Sequence, residues 1–67
     1  MTDCKTLNSK IEISGYKKNH IAKSLGISRQ SLNLKLRGAR EFKLDEVTSI
    51  CKLLGISPEE RENIFFA

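Results

Sequence analysis

The chain has 67 residues, 39% of them apolar and 30% charged, and a formal net charge of +4. This composition is typical of a globular chain, and the length suits one domain, residues 1–67, near the lower limit for folding without disulfides or metals. No apolar run approaches the roughly 18–20 residues that cross a bilayer. The N-terminus has no apolar segment of signal-peptide type, so we expect a cytoplasmic protein.

The residues that usually carry catalysis or metal binding are scarce. Cys4 and Cys51 are the only cysteines, and without a secretion signal we expect free thiols, with Cys51 as a small core residue. One histidine and no C-x-x-C pair make a structural zinc site unexpected. His20 has no acid or nucleophile at a spacing that would indicate a catalytic pair, and the glycines do not form the pattern of a phosphate-binding loop. We therefore expect no enzyme, no catalytic residue, no metal and no cofactor.

Charge is distributed unevenly along the chain. Residues 1–43 hold ten lysines and arginines against three acids, which gives +7, whereas residues 44–67 hold two bases against five acids, which gives −3. A basic half attracts polyanions, so nucleic acid is the leading class of partner. The same charges would also suit an ordinary solvated face.

The glycines of the chain predict where its helices end. Glycine adopts the left-handed backbone conformation that terminates helices more easily than other residues do. Each glycine follows a segment with apolar residues at helical spacing: Gly15, Gly26, Gly38 and Gly55. Alternating strand patterns are absent apart from one ambiguous run of leucines, so the sequence predicts an all-α fold of five short helices.

The first two helices are each predicted from a short row of apolar residues. Leu7 and Ile11, with Ile13 as a more ambiguous third position, indicate a helix near residues 4–14. The apolar positions of the second helix, at about 18–25, are Ile21, Ala22 and Leu25. The small Ala22 allows the next helix to approach closely.

The third helix follows directly, after the tight turn Gly-Ile-Ser. Ser28 is a good N-cap for it, and it runs to about Arg37. Two short helices joined by a turn that contains glycine are marginal alone and have the geometry of a helix-turn-helix, here at about 18–37.

The third helix carries three leucines at a spacing of two, which no helix can place on one face. At about 100° per residue, Leu32 and Leu36 lie together at i, i+4, on the side that also carries Ser31 and Lys35. That side is predicted to face the core. Leu34 is then predicted to point outward, among polar side chains.

The fourth helix is predicted from an apolar row at helical spacing: Leu44, Val47, Ile50, Cys51 and Leu54. The residue before it, Lys43, is a poor N-cap because lysine has no hydrogen-bond acceptor, and the pattern offers no substitute.

The fifth helix has the clearest start. The run "SPEE" supplies Ser57 as N-cap, Pro58 at the first helical position and Glu60 to close a capping box. In the terminal "NIFFA", Ile64 and one of the two phenylalanines, Phe65 and Phe66, are expected to complete the core. The other phenylalanine either packs in the core as well or is exposed and available for dimerisation.

The outward face of the third helix has the chemistry of a base-contacting surface. Gln30 and Asn33 can make paired hydrogen bonds to adenine, Arg29 can do so with guanine, and Leu34 can contact a thymine methyl group. On an isolated helix the same residues would be an ordinary solvated face with one incidental leucine. The preceding helix, the turn and the basic flank favour DNA recognition.

These features resemble those of the lambda-repressor-like, or Cro/CI-type, helix-turn-helix family of phage and bacterial regulators. The matching residues are Ala22, Gly26, Ile27, Ser28, Ser31 and Leu32, followed by "LRGAREFKLDEVTSICKLLGIS". The similarity runs from about Leu7 to Phe66, and its later part is similar to small phage switch proteins of Cro or antirepressor type. It implies a compact five-helix DNA-binding domain, which usually binds an operator as a homodimer with half-sites roughly 34 Å apart.

The resemblance also implies a role for individual positions. The third helix would enter the major groove with base-facing side chains at Arg29, Gln30, Asn33 and Leu34. The residues implied in phosphate contact are Lys17, Lys18, Asn19, Ser28, Arg37, Arg40 and Lys43. Many members carry glutamine where this chain has Lys18 and Arg29, so the family's operator preferences do not transfer.

A second interpretation stays open. Phage antirepressors of similar size resemble helix-turn-helix domains but bind a cognate repressor protein, and an outward Leu34 would suit such an apolar contact. The sequence fixes neither the operator, nor repression against activation, nor the oligomeric state. Binding to a membrane surface would need a long stripe of basic and aromatic residues, which is absent.

Overall fold

A computed structural model describes residues 2–66 and confirms the all-α prediction. Over that range the chain forms five α-helices and no strand: α1 (Cys4–Ser14), α2 (Lys18–Leu25), α3 (Arg29–Leu36), α4 (Leu44–Leu54) and α5 (Pro58–Phe65). α2 packs against α3 and α4, while α1 contacts α3, α4 and α5. None of these helices is long and apolar enough to span a membrane.

Local hydrogen bonds explain where the helices begin. Ser28 accepts the N–H of Ser31 at 3.0 Å and so caps α3. Ser57 accepts the N–H of Glu60 at 3.2 Å, and Glu60 accepts the N–H of Ser57 in return, which is the predicted capping box of α5. At α1, Asp3 accepts two hydrogen bonds from Thr6, and these lower the pKa of the Asp3 carboxyl.

The start of α4 corrects one expectation. The side chain of Lys43 makes no cap hydrogen bond, but Glu46 Oε1 accepts the Lys43 N–H at 2.9 Å. Asp45 Oδ1 accepts the N–H of Glu46 at 3.0 Å. The prediction that nothing substitutes for the missing cap is therefore wrong, because the acids of the first turn supply the acceptors.

The turn between α2 and α3 depends on Gly26. Its backbone is left-handed, with φ of 72°, and its N–H donates to the Lys23 carbonyl at 3.1 Å. The next residue, Ile27, donates its N–H to the Ala22 carbonyl at 3.0 Å and packs partly buried against the core. A side chain at position 26 would strain this backbone, which is why glycine suits the turn.

The core lies between all five helices. Its buried apolar residues are Leu7, Ile11, Ile21, Ala22, Leu32, Leu36, Val47, Ile50, Cys51, Ile56, Ile64 and Phe65. Both cysteines are free, and burial raises the pKa of the Cys51 thiol. Of the two phenylalanines, Phe65 completes the core and packs edge-to-face on Phe42, whereas Phe66 is 51% exposed.

Two apolar residues placed on helical stripes by their spacing do not reach the core. Ile13 is 84% exposed, because it lies about 200° around the helix from Ile11. Leu44 is 72% exposed, because it occupies the first turn of α4, at the edge of the apolar stripe and beside the preceding loop.

Candidate nucleic-acid interface

α3 is attached to the domain by one face and open on the other. Leu32 is fully buried and Leu36 nearly so, as the helical spacing predicts. The opposite face carries the exposed side chains of Arg29 and Gln30 and the partly exposed Asn33 and Leu34. An α-helix with its side chains is about 10–12 Å in diameter, which fits the roughly 12 Å width of the B-DNA major groove.

A shallow cleft lies along one side of α3. It is lined by Asn8, Lys18, Arg29, Asn33, Leu36 and Arg37. At one end the Arg29 guanidinium lies 3.5 Å from Asn19 Oδ1, which links the start of α3 to the start of α2. The structure therefore brings together predicted base-facing and predicted phosphate-contacting residues from both helices of the motif.

A second depression lies on the other side of α3. It is lined by Ser28, Gln30, Ser31, Leu34 and Arg40. Arg40 comes from the loop after α3, and its neighbours here, Gln30 and Leu34, are predicted base-facing residues. Arg37 instead lines the cleft on the opposite side. The two loop arginines thus flank α3 on both sides.

Three predicted phosphate contacts line neither depression: Asn19, which contacts Arg29, and two lysines. Lys17 is the exposed residue just before α2, and Lys43 is the exposed residue just before α4. Both stand at helix N-termini, where backbone N–H groups and the helix dipole favour anions.

In the part of the chain that the structure describes, the cations around α3 form no ion pair with an acidic side chain. Within residues 2–66 only two ion pairs form, Lys10 with Glu60 and Lys35 with Glu46. Lys18, Arg29 and Arg37 therefore present unneutralised charge to the solvent on one side of the motif. Arg40 does the same on the other side. A surface of this kind attracts a polyanion.

Sequence reasoning missed the contacts that hold α3 in place from behind. The Asn8 amide donates to the carbonyls of Cys4 at 2.8 Å and Leu36 at 3.1 Å, so α1 satisfies a carbonyl at the end of α3. Lys35 is buried and paired with Glu46. One signal was present in the sequence: Lys35 shares the inner face with Leu32, and a buried lysine requires an acid nearby.

The partners of Glu46 decide its ionisation. Burial opposes the charged form, but the hydrogen bonds from the Lys35 ammonium and the Lys43 N–H outweigh it and lower the pKa of the Glu46 carboxyl. Glu46 is therefore a carboxylate at neutral pH.

The chain matches the model of a known protein family. A family model described as the Cro/C1-type helix-turn-helix DNA-binding domain matches residues 4–60. That range includes α1 to α4, the start of α5 and every residue that lines the two depressions. No curated protein and no solved structure is similar enough to the chain to count as a match.

Proposed function

The chain belongs to the Cro/C1-type helix-turn-helix DNA-binding domain family, and from that membership we propose that it is a transcriptional regulator of phage Cro/CI type that recognises a specific double-stranded operator. α3 lies in the major groove. Arg29, Gln30, Asn33 and Leu34 contact base edges, while the cations around them contact phosphate.

The observation that carries this proposal is the concentration of unpaired cations around the one open face of α3. Lys18 and Arg37 line the cleft on one side, and Arg40 lines the depression on the other. A helix in the major groove has a phosphate strand on each side, so cations on both flanks suit it. The N-terminus of α2, with Lys17, Lys18 and Asn19, then supplies further phosphate contacts, as do Ser28 and Lys43.

The proposed arrangement on DNA is a homodimer on two half-sites. Each α3 then enters the major groove on the same face of the duplex, about one helical turn from the other. A palindromic operator with that spacing is the expected target.

Selection from a pool of random duplexes, followed by titration at two salt concentrations, tests the proposal. We expect an enriched palindromic sequence and an affinity that falls steeply with salt. The five cations assigned to phosphate would give a slope of about −4.5 per protomer in log K against log salt concentration, and about twice that for the homodimer. Lys52→Ala, which removes an exposed cation from α4, is the control and should keep the slope. Binding that neither enriches a sequence nor depends on salt would contradict the proposal.

A second candidate function is that of an antirepressor, which binds a repressor protein through the same face. The partly exposed Leu34, an apolar residue among polar ones, favours it. The two functions differ in their ligand. Tight, salt-insensitive capture of a cognate repressor, without enrichment of any duplex, would support the antirepressor and exclude operator recognition.

A further inference from the structure

A single carboxylate oxygen joins the end of α3 to the beginning of α4. Glu46 Oε1 accepts a hydrogen bond from the Lys35 ammonium at 2.5 Å and another from the Lys43 N–H at 2.9 Å. The side chains of Lys35 and Glu46 are only 6% and 5% exposed. Water therefore does not compete for these contacts, and their geometry is fixed by the surrounding core.

The segment between the two helices is residues 37–43, called here the α3–α4 loop. Its first part is held by backbone hydrogen bonds, from Gly38 to the Lys35 carbonyl and from Ala39 to the Leu34 carbonyl. Within residues 2–66, no backbone-to-backbone hydrogen bond holds positions 40–42. Phe42 contacts the core through Phe65, so the path of the second half depends on side chains and on where α4 begins.

We propose that Glu46, through its bond to Lys35, is a positioning residue for DNA recognition. It sets the distance between α3 and the start of α4, and thereby fixes Arg40 beside the base-facing side of α3 and Lys43 at the start of α4. This inference rests on the proposed function, because positioning matters only if the α3–α4 loop contacts a duplex.

For removal of the Glu46 charge alone, simple electrostatics makes the opposite prediction. A carboxylate repels phosphate, so its removal should strengthen binding to every duplex. If Glu46 positions the loop, its loss should instead weaken binding to the selected operator. Glu46→Gln alone leaves a buried lysine without its partner and is expected to destabilise the fold strongly.

A double substitution avoids that loss of stability. Lys35→Met/Glu46→Gln removes one positive and one negative charge, so the net charge is unchanged, and glutamine still accepts the Lys43 N–H as in a capping box. Replacing a buried pair by uncharged residues is often close to neutral for stability. The link between α3 and α4 is lost because methionine has no donor.

The chain supplies a matched control in Lys10→Met/Glu60→Gln. Glu60 also pairs with a lysine of another helix and also accepts the N–H of the residue before its own helix, Ser57. This pair joins α1 to α5 and lies outside both depressions beside α3. The control therefore makes the same chemical change away from the α3–α4 loop.

The experiment compares both double variants with the wild-type chain, using the duplex enriched by selection and a random duplex. For Lys35→Met/Glu46→Gln we expect the affinity for each duplex to fall about tenfold and the salt slope per protomer to shrink by about 0.9, because one phosphate contact is lost. The control should keep both. Unchanged affinities and an unchanged slope in Lys35→Met/Glu46→Gln would overturn the inference.

A measurement without DNA separates failure of this inference from failure of the proposed function. Backbone 15N relaxation should show more motion at positions 39–42 in Lys35→Met/Glu46→Gln than in the wild-type chain. The control variant should show the same motion as the wild-type chain at these positions. Equal loop order in both variants overturns the inference, whatever the duplex does. Absence of duplex binding by the wild-type chain refutes the proposed function, and the recognition role of Glu46 with it.

Discussion

Truncating the leucines of α3 one at a time tests the orientation of that helix. Leu32 is fully buried, and a leucine-to-alanine change in a core costs about 2–5 kcal/mol. A chain of this length has a free energy of unfolding of about 3–10 kcal/mol. Leu32→Ala is therefore expected to remove most of the stability. Leu34 is partly exposed, so Leu34→Ala should cost about 1 kcal/mol.

The assay is urea unfolding followed by far-ultraviolet circular dichroism. Leu34→Ala should lower the free energy of unfolding slightly and leave a cooperative urea transition. In a thermal scan of the same variant, the melting temperature should fall by about 4–8 °C. Leu36→Ala, at a position nearly as buried as Leu32, should behave like Leu32→Ala. Equal destabilisation by Leu32→Ala and Leu34→Ala would show that Leu34 belongs to the core and would refute the assignment of the outer face.

Further expectations concern the turn, the interface and the buried ion pair. Gly26→Ala should lower the free energy of unfolding by about 1–2 kcal/mol, measured by urea titration, because φ there is 72° even though an added Cβ meets no atom within 4 Å. Arg29→Ala should relax sequence preference by about 1–3 kcal/mol in duplex competition, whereas Lys18→Ala should weaken all duplexes alike and reduce the salt slope by about 0.9. Equal losses on operator and random duplex for Arg29→Ala would contradict its assignment to a base. Because the pKa of Glu46 is lowered by folding, its stabilisation is full above the ordinary glutamic acid pKa, about 4.3, and is lost as pH falls through the lower folded value. As the pH is lowered through this range, the urea midpoint should therefore fall more for the wild-type chain than for Lys35→Met/Glu46→Gln. Parallel plots of urea midpoint against pH for the two proteins would show that the pair contributes no pH-dependent stability.

The helix order was predictable because the signals that start and end helices are local. Ser28, Ser57 and the glycines act on their own helix within a few residues, and the structure has each of the first three helices within about one residue of its predicted bounds. The orientation of Leu32 and Leu36 followed from helical spacing in the same way. The spacing of apolar residues does not predict burial at the ends of an apolar stripe, as at Leu44, because it does not show how far the core extends.

Contacts between distant segments could not be predicted. Lys35 and Glu46 are separated by a loop whose path no local pattern specifies, and the acceptor for Lys43 depends on the same carboxylate. Asn8 meets the end of α3 only because α1 packs there. The side of α3 on which Arg40 lies could not be predicted either, because a loop residue has no helical periodicity to indicate its direction.

Operator recognition by this chain depends most on α3 presenting its outer face to a duplex. Titration of the 15N-labelled chain with the selected duplex measures this directly, since each backbone amide reports its own change in chemical shift. We predict the largest changes at positions 17–19, 28–34 and 37–43, with little change along α5. Changes concentrated on α5, or no change at α3 at a duplex concentration that saturates binding, would contradict it.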